Sequence, residues 1–87
     1  MVDGRQNDWG KLFKASICDP RISQQMQAEG IDSFPLTPDS SLAVRLCDNV
    51  LGAVLFKFGI TGDEVNSYGI YIEGLQDIAN RYRMEAT

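Results

Sequence analysis

The sequence predicts an all-α protein, a compact bundle of four helices whose last two form a C-terminal hairpin. Three observations carry that expectation. Along the last third of the chain, apolar residues recur at steps of three and four: Val65, Tyr68, Ile72, Leu75, Ala79 and Tyr82. Such a seam is the stripe of a helix that must be buried against another helix. The segment from Leu42 to Phe58 is apolar first on one side and then nearly all round, which suits a central helix. Between these stretches stand Asp19-Pro20, Gly30, Thr37-Pro38 and Gly59, residues that start and stop helices.

The first helix is expected from Asp8, a capping residue, to Cys18, with Trp9, Leu12, Phe13, Ser16 and Ile17 on one face. Residues 1–7 ahead of it are polar and expected to be flexible. Asp19-Pro20 ends that helix and opens the next, the aspartate as cap and the proline in the first turn. This second helix carries Ile22 and Met26 inward, Gln25 more weakly, and closes at Gly30. Ile31, Phe34 and Leu36 should pin the following loop onto the core, and Phe34 must be extended because Pro35 follows it.

Thr37-Pro38-Asp39 signals the start of a third helix, Pro38 to Phe58, whose first buried residues are Leu42, Ala43, Leu46 and Cys47. Gly59 ends it. Thr61 and Glu64 read as a capping box, each side chain bonding the other's amide, so the fourth helix is expected over 61–84. Its acids Asp63 and Glu64 come first and Arg81 and Arg83 last, as the helix dipole favours. One conflict is local. Tyr68, Ile70 and Ile72 alternate like a strand among Gly69 and Gly74, and the alternative is an α+β fold with a short strand near 68–74. Two interior glycines cost a helix roughly 1 kcal/mol each and favour a kink. The seam holds one register through to Tyr82, which decides for helix.

At 87 residues the chain is a single domain, and 44% hydrophobic with 23% charged residues fits a folded protein rather than a disordered one. The net charge of −4 argues against nonspecific binding to nucleic acid or to an anionic membrane, both of which need a cationic face. No apolar run is long enough to span a bilayer. Cys18 and Cys47 are expected to be reduced and unlinked. With a polar N-terminus unlike a signal peptide, the expected compartment is the cytoplasm.

For catalysis the chain is poor. It has no histidine, so it lacks the commonest metal ligand and the usual general base. Cys47 stands on the apolar third helix, where a thiol is inert packing. Asp63 with Glu64 is explained by capping, and Glu73 with Asp77 by an exposed helix face. Gly59-Ile-Thr-Gly62 has neither the lysine nor the preceding strand of a phosphate loop. No catalytic, cofactor-binding or metal-ligating residue is assigned, and the expectation is a non-enzyme. The same Gly59 turn faintly resembles that of a helix-turn-helix, but Asp63 and Glu64 would then face DNA phosphates and repel them.

Binding to protein is the better-supported expectation. The seam Val65, Tyr68, Ile72, Leu75, Ala79 and Tyr82 is expected to serve a homo-oligomer, at least a dimer, as well as the hairpin. Residues 61–87 hold Asp63, Glu64, Glu73, Asp77 and Glu85 against Arg81 and Arg83, a balance of −3. There Ile70 and Tyr71, ringed by Glu73 and Asp77, would suit a partner with a basic-rimmed apolar surface, and Trp9 is a second anchor candidate. The expected role is that of a regulator or inhibitor acting on another protein. A structural subunit of a larger assembly is the first alternative, and a helix-turn-helix DNA binder the second.

Overall fold

Capping residues decide where helices of this chain begin, at Asp19 where the sequence suggests, and at Asp39 and Asn66 where it suggests other residues. The computed structural model describes residues 4–35 and 39–84. The first helix, α1 (Gly4–Cys18), reaches back past Asp8, so residues 4–7 belong to a helix and Asp8 is interior. Asp8 instead holds Arg81 at 2.9 Å and Lys11 at 3.7 Å. Trp9, Leu12, Ala15 and Ser16 are the buried side of α1, with Phe13 half-buried, while Ile17 is 65% exposed and does not share that face.

Asp19 caps α2 (Pro20–Ala28) as its sequence implies, Oδ1 accepting from the Arg21 amide at 2.9 Å. Ile22 and Met26 point inward and Gln25 is half-buried. Gly30, at φ 73°, supplies the left-handed turn that ends the element. Ile31 is buried, and Phe34 stacks 5.0 Å from Trp9 and 5.5 Å from Phe13. The expected roles of Leu36, Thr37 and Pro38 fall outside the described residues. The observed cap of the next helix is Asp39, which accepts from the Leu42 amide at 3.1 Å.

From there α3 (Ser40–Arg45), a π-helical segment (Leu46–Leu51) and α4 (Gly52–Phe58) run on as one rod. The wider π turn leaves room at the Cys47 carbonyl, and Gln76 Nε2 donates to it at 3.3 Å. Leu42, Ala43, Leu46, Val50, Leu51 and Val54 fill the centre, so the rod is central as expected. Its far end is not covered all round: Phe56 is 80% and Phe58 43% exposed.

The largest departure lies between the rod and the last helix. Thr61 and Glu64 do not form a capping box. They pair in an antiparallel hairpin of β1 (Ile60–Thr61) and β2 (Glu64–Val65), with Ile60 opposite Val65. Gly62, at φ 65°, takes the first place of the two-residue loop, where only glycine is unstrained. The Thr61 hydroxyl is used after all, accepting from Asn66 Nδ2 at 2.9 Å. Asn66 is the real cap: its Oδ1 accepts from the Gly69 amide at 2.8 Å, and α5 (Ser67–Met84) begins after it.

Residues 68–74 are therefore helical, and the strand expected there as the alternative is absent. Gly69 is buried where α5 crosses the end of α4, close against Gly59. A side chain on Gly59 would sit 2.8 Å from the Gly69 Cα, so the crossing needs glycine on both sides. From α5, Ile72, Leu75, Ala79 and Tyr82 complete the core around Trp9, Leu12, Ile22 and the rod. Among the described residues, no helix is long and apolar enough to cross a membrane.

Candidate functional site

The spacing of residues on α1 sets up the site. Lys11, Lys14 and Cys18 follow one another at i, i+3 and i+7, with Ala15 beneath them, and such residues share one stripe of a helix. That stripe faces Tyr71 and Leu75, one turn apart on α5. Between the two helices runs a groove of about 320 Å³ with Ala15 and Leu75 as its buried floor. Lys11 and Lys14 form one rim, and Tyr71, 46% exposed, forms the other.

One end of the groove abuts a dense polar–aromatic cluster. The Arg21 guanidinium is sandwiched between Phe58 and Tyr68, 4.7 and 4.6 Å from the ring centres. Each face-on contact of this kind contributes about 0.5–1 kcal/mol at an exposed site. Tyr68 in turn donates its hydroxyl to Asp19 Oδ2 at 2.6 Å, and its ring lies 5.9 Å from that of Tyr71. The cluster ties the start of α2, the end of α4 and the start of α5 together.

Burial, helped by the hydrogen bond to Asp19 and by its charge, pushes the Tyr68 phenol from 10.0 up to about 12. The Tyr71 phenol is raised as well, first by burial and then by the nearby Asp19 and Cys18. Both rings are therefore uncharged donors at neutral pH. The fold favours the protonated Tyr68, so its contribution to stability is complete below pH 10 and declines as the pH climbs toward 12. Tyr68→Phe should flatten the loss of stability in that window. Urea unfolding midpoints at about pH 8 and about pH 11 test this, and equal declines in both proteins would refute it.

The residues expected to form sites separate in the structure. Ile72, Leu75, Ala79 and Tyr82 are 6% exposed or less within a single copy of the chain, so the seam meets α1 and the rod rather than a second subunit. Val65 is not on α5 at all, and Tyr68 belongs to the Arg21 cluster. Of these four, only Leu75 also lines the groove. Trp9 is 1% exposed and is a core residue, not an anchor for a partner.

Tyr71 also parts from its expected companions. Ile70, Glu73 and Asp77 occupy the outer side of α5, all exposed, whereas Tyr71 lies at the α1 edge. The groove beside the accessible tyrosine is lined by Lys11 and Lys14 of α1 rather than by the carboxylates of α5, and Asp19 is the charge felt by its phenol. Sequence reasoning passed over Lys11, Lys14, Arg21 and Phe58. The lysines carried a signal in their spacing with Cys18; the Arg21 sandwich joins residues far apart in the chain and carried none.

Cys18 and Cys47 are not joined in a disulfide; Cys18 is exposed, and Cys47 is half-buried with Sγ 3.9 Å from the Gln76 carbonyl oxygen. Two larger clefts, about 520 and 480 Å³, flank Ile31 to Pro35; the first sets Phe13, Ile17 and Phe34 beside Ser16, Ser23 and Asp32, and neither has a lysine in its lining. Compared with known protein families, curated proteins and solved structures, the chain finds no match.

Proposed function

We propose that this chain is a small non-enzymatic protein that acts by binding another protein, as a regulator or inhibitor, through the groove between α1 and α5. The observation that carries this reading is the groove's makeup: an apolar floor of Ala15 and Leu75, a tyrosine on one rim and two lysines on the other. Tyrosine is among the side chains that most often anchor interfaces, and Tyr71 stands at one end beside Tyr68, whose ring the Arg21 guanidinium covers. The chain carries −4 overall, so a paired-lysine rim is a local reversal of sign that would select an acidic partner. The matching ligand is an amphipathic helix with an apolar stripe flanked by carboxylates, laid along the groove. Two cysteines without a disulfide suit a reducing compartment, and the cytoplasm is the proposed location.

A labelled, designed helical peptide with a leucine stripe flanked by glutamates is the probe, and its lysine-flanked counterpart the control. Fluorescence anisotropy should show the acidic peptide binding, more weakly as salt rises, and at least tenfold more weakly to the Lys11→Glu, Lys14→Glu double variant. Equal binding of both peptides, or no effect of the charge reversal, would overturn the groove as the recognition surface.

A further inference from the structure

The outer side of α5 has the composition of the ligand that the groove calls for. Ile70, Glu73 and Asp77 follow one another at i, i+3 and i+7, all exposed, with Ile70 at 65%. Lys11, Lys14 and Cys18 repeat the same spacing on α1. Both stripes span seven residues, about 10.5 Å at the α-helical rise. Laid parallel, the stripes would oppose Lys11 to Ile70 and Cys18 to Asp77. Laid antiparallel, Asp77 meets Lys11, Glu73 meets Lys14, and Ile70 meets Cys18 beside Tyr71. The antiparallel arrangement pairs every charge of the two stripes with its opposite and puts the aliphatic side chain at the end of the groove that holds Tyr71.

We infer that the groove of one copy is filled by the outer face of α5 from a second copy, docked antiparallel to α1. The inference rests on the groove reading above and names a second copy of this chain as its occupant. The two stripes are different surfaces of the same molecule, so the contact is head-to-tail. The pair then keeps one groove and one α5 face available, one on each copy, and association continues into a ring or an open chain unless a target protein takes the groove. A foreign acidic helix would compete with the second copy, which makes self-association a reserve form of the regulator.

Sedimentation tests this through charge exchange. The native chain should show a mass that grows with concentration through the micromolar range. Lys11→Glu with Lys14→Glu, and separately Glu73→Lys with Asp77→Lys, should each leave a folded monomer, with association weakened at least tenfold. The chain carrying all four changes restores every opposite pair and should associate again. As a check of register, Ile70→Cys in a Cys47→Ala background should form intermolecular disulfides with Cys18 under mild oxidation, and Glu73→Cys should not. A native chain that stays monomeric to about 100 μM overturns the inference, as does a folded four-change variant that fails to associate. If the acidic peptide still binds in that event, the groove reading survives and only the self-pairing is lost.

Discussion

Gly69→Ala is expected to destabilise the fold by about 3 kcal/mol or more, although the same change in an isolated helix would be favourable by about 1 kcal/mol. The cause is the crossing of α4 and α5. A Cβ on Gly69 would press into the Gly59 carbonyl oxygen and the Val65 side chain, well under 3.0 Å from each. The oxygen belongs to backbone, so no rotamer change relieves the contact, and the two helices have to move apart. That movement would also loosen the Arg21 sandwich, because Phe58 precedes Gly59 and Tyr68 precedes Gly69. Gly74→Ala is the matched control. It lies on the same helix, is exposed, and a Cβ there meets nothing within 4 Å. That change should stabilise the protein by about 0.5–1 kcal/mol. Thermal melts should therefore move in opposite directions, Gly69→Ala downward by about 12 °C or more. Equal and small shifts would mean that the two backbones do not meet at these glycines.

The same two glycines show how far the sequence could be read. It indicated that residues 68–74 were helical, because the seam through Ile72, Leu75, Ala79 and Tyr82 keeps one register, and those four residues are core. It gave Gly69 only as a cost to the helix, since close approach to Gly59 is a tertiary fact. The turn from 59 to 66 was misread for a local reason. Thr61 and Glu64 satisfy the pattern of a capping box, but Ile60, Thr61 and Val65 around Gly62-Asp63 also satisfy that of a hairpin. Asn66 decides between them: it caps α5 through the Gly69 amide while its Nδ2 donates to the Phe58 carbonyl and the Thr61 hydroxyl. One side chain thus closes the hairpin and starts the helix, and a pattern that looks at two residues at a time misses it. The groove was half legible. Its α1 stripe can be read from the spacing of Lys11, Lys14 and Cys18, but only the packed fold reveals that Tyr71 and Leu75 face it.

Trp9→Ala should have the largest effect of any single change considered, about 3–5 kcal/mol, the usual range for removing a large buried aromatic side chain. A domain of this size has total stability of roughly 4–13 kcal/mol, so the variant would be marginally folded at best. Two kinds of contact go at once. The Trp9 ring packs 5.0 Å from Phe34 and 5.1 Å from Tyr82, edge-on to the latter. Its indole N–H donates to the Pro35 carbonyl at 2.9 Å, which ties the loop after α2 to α1. The Trp9 backbone amide, which alanine keeps, donates to the Tyr82 hydroxyl at 3.1 Å, and the cavity beside the Tyr82 ring would unsettle that bond and the end of α5. Trp9→Phe keeps most of the apolar volume and loses the bond to Pro35, and should cost about 1–2 kcal/mol. Urea unfolding followed by far-ultraviolet circular dichroism measures both, since the chain's one tryptophan is removed. The pair also separates core from interface. Trp9→Phe should stay folded and bind the acidic peptide as the native chain does, because Trp9 is buried and lines no part of the groove. Lys11→Glu with Lys14→Glu should do the reverse, unfolding at nearly the native urea concentration while losing the peptide. A folded Trp9→Phe that lost the peptide would return tryptophan to the binding surface and displace the groove from that role.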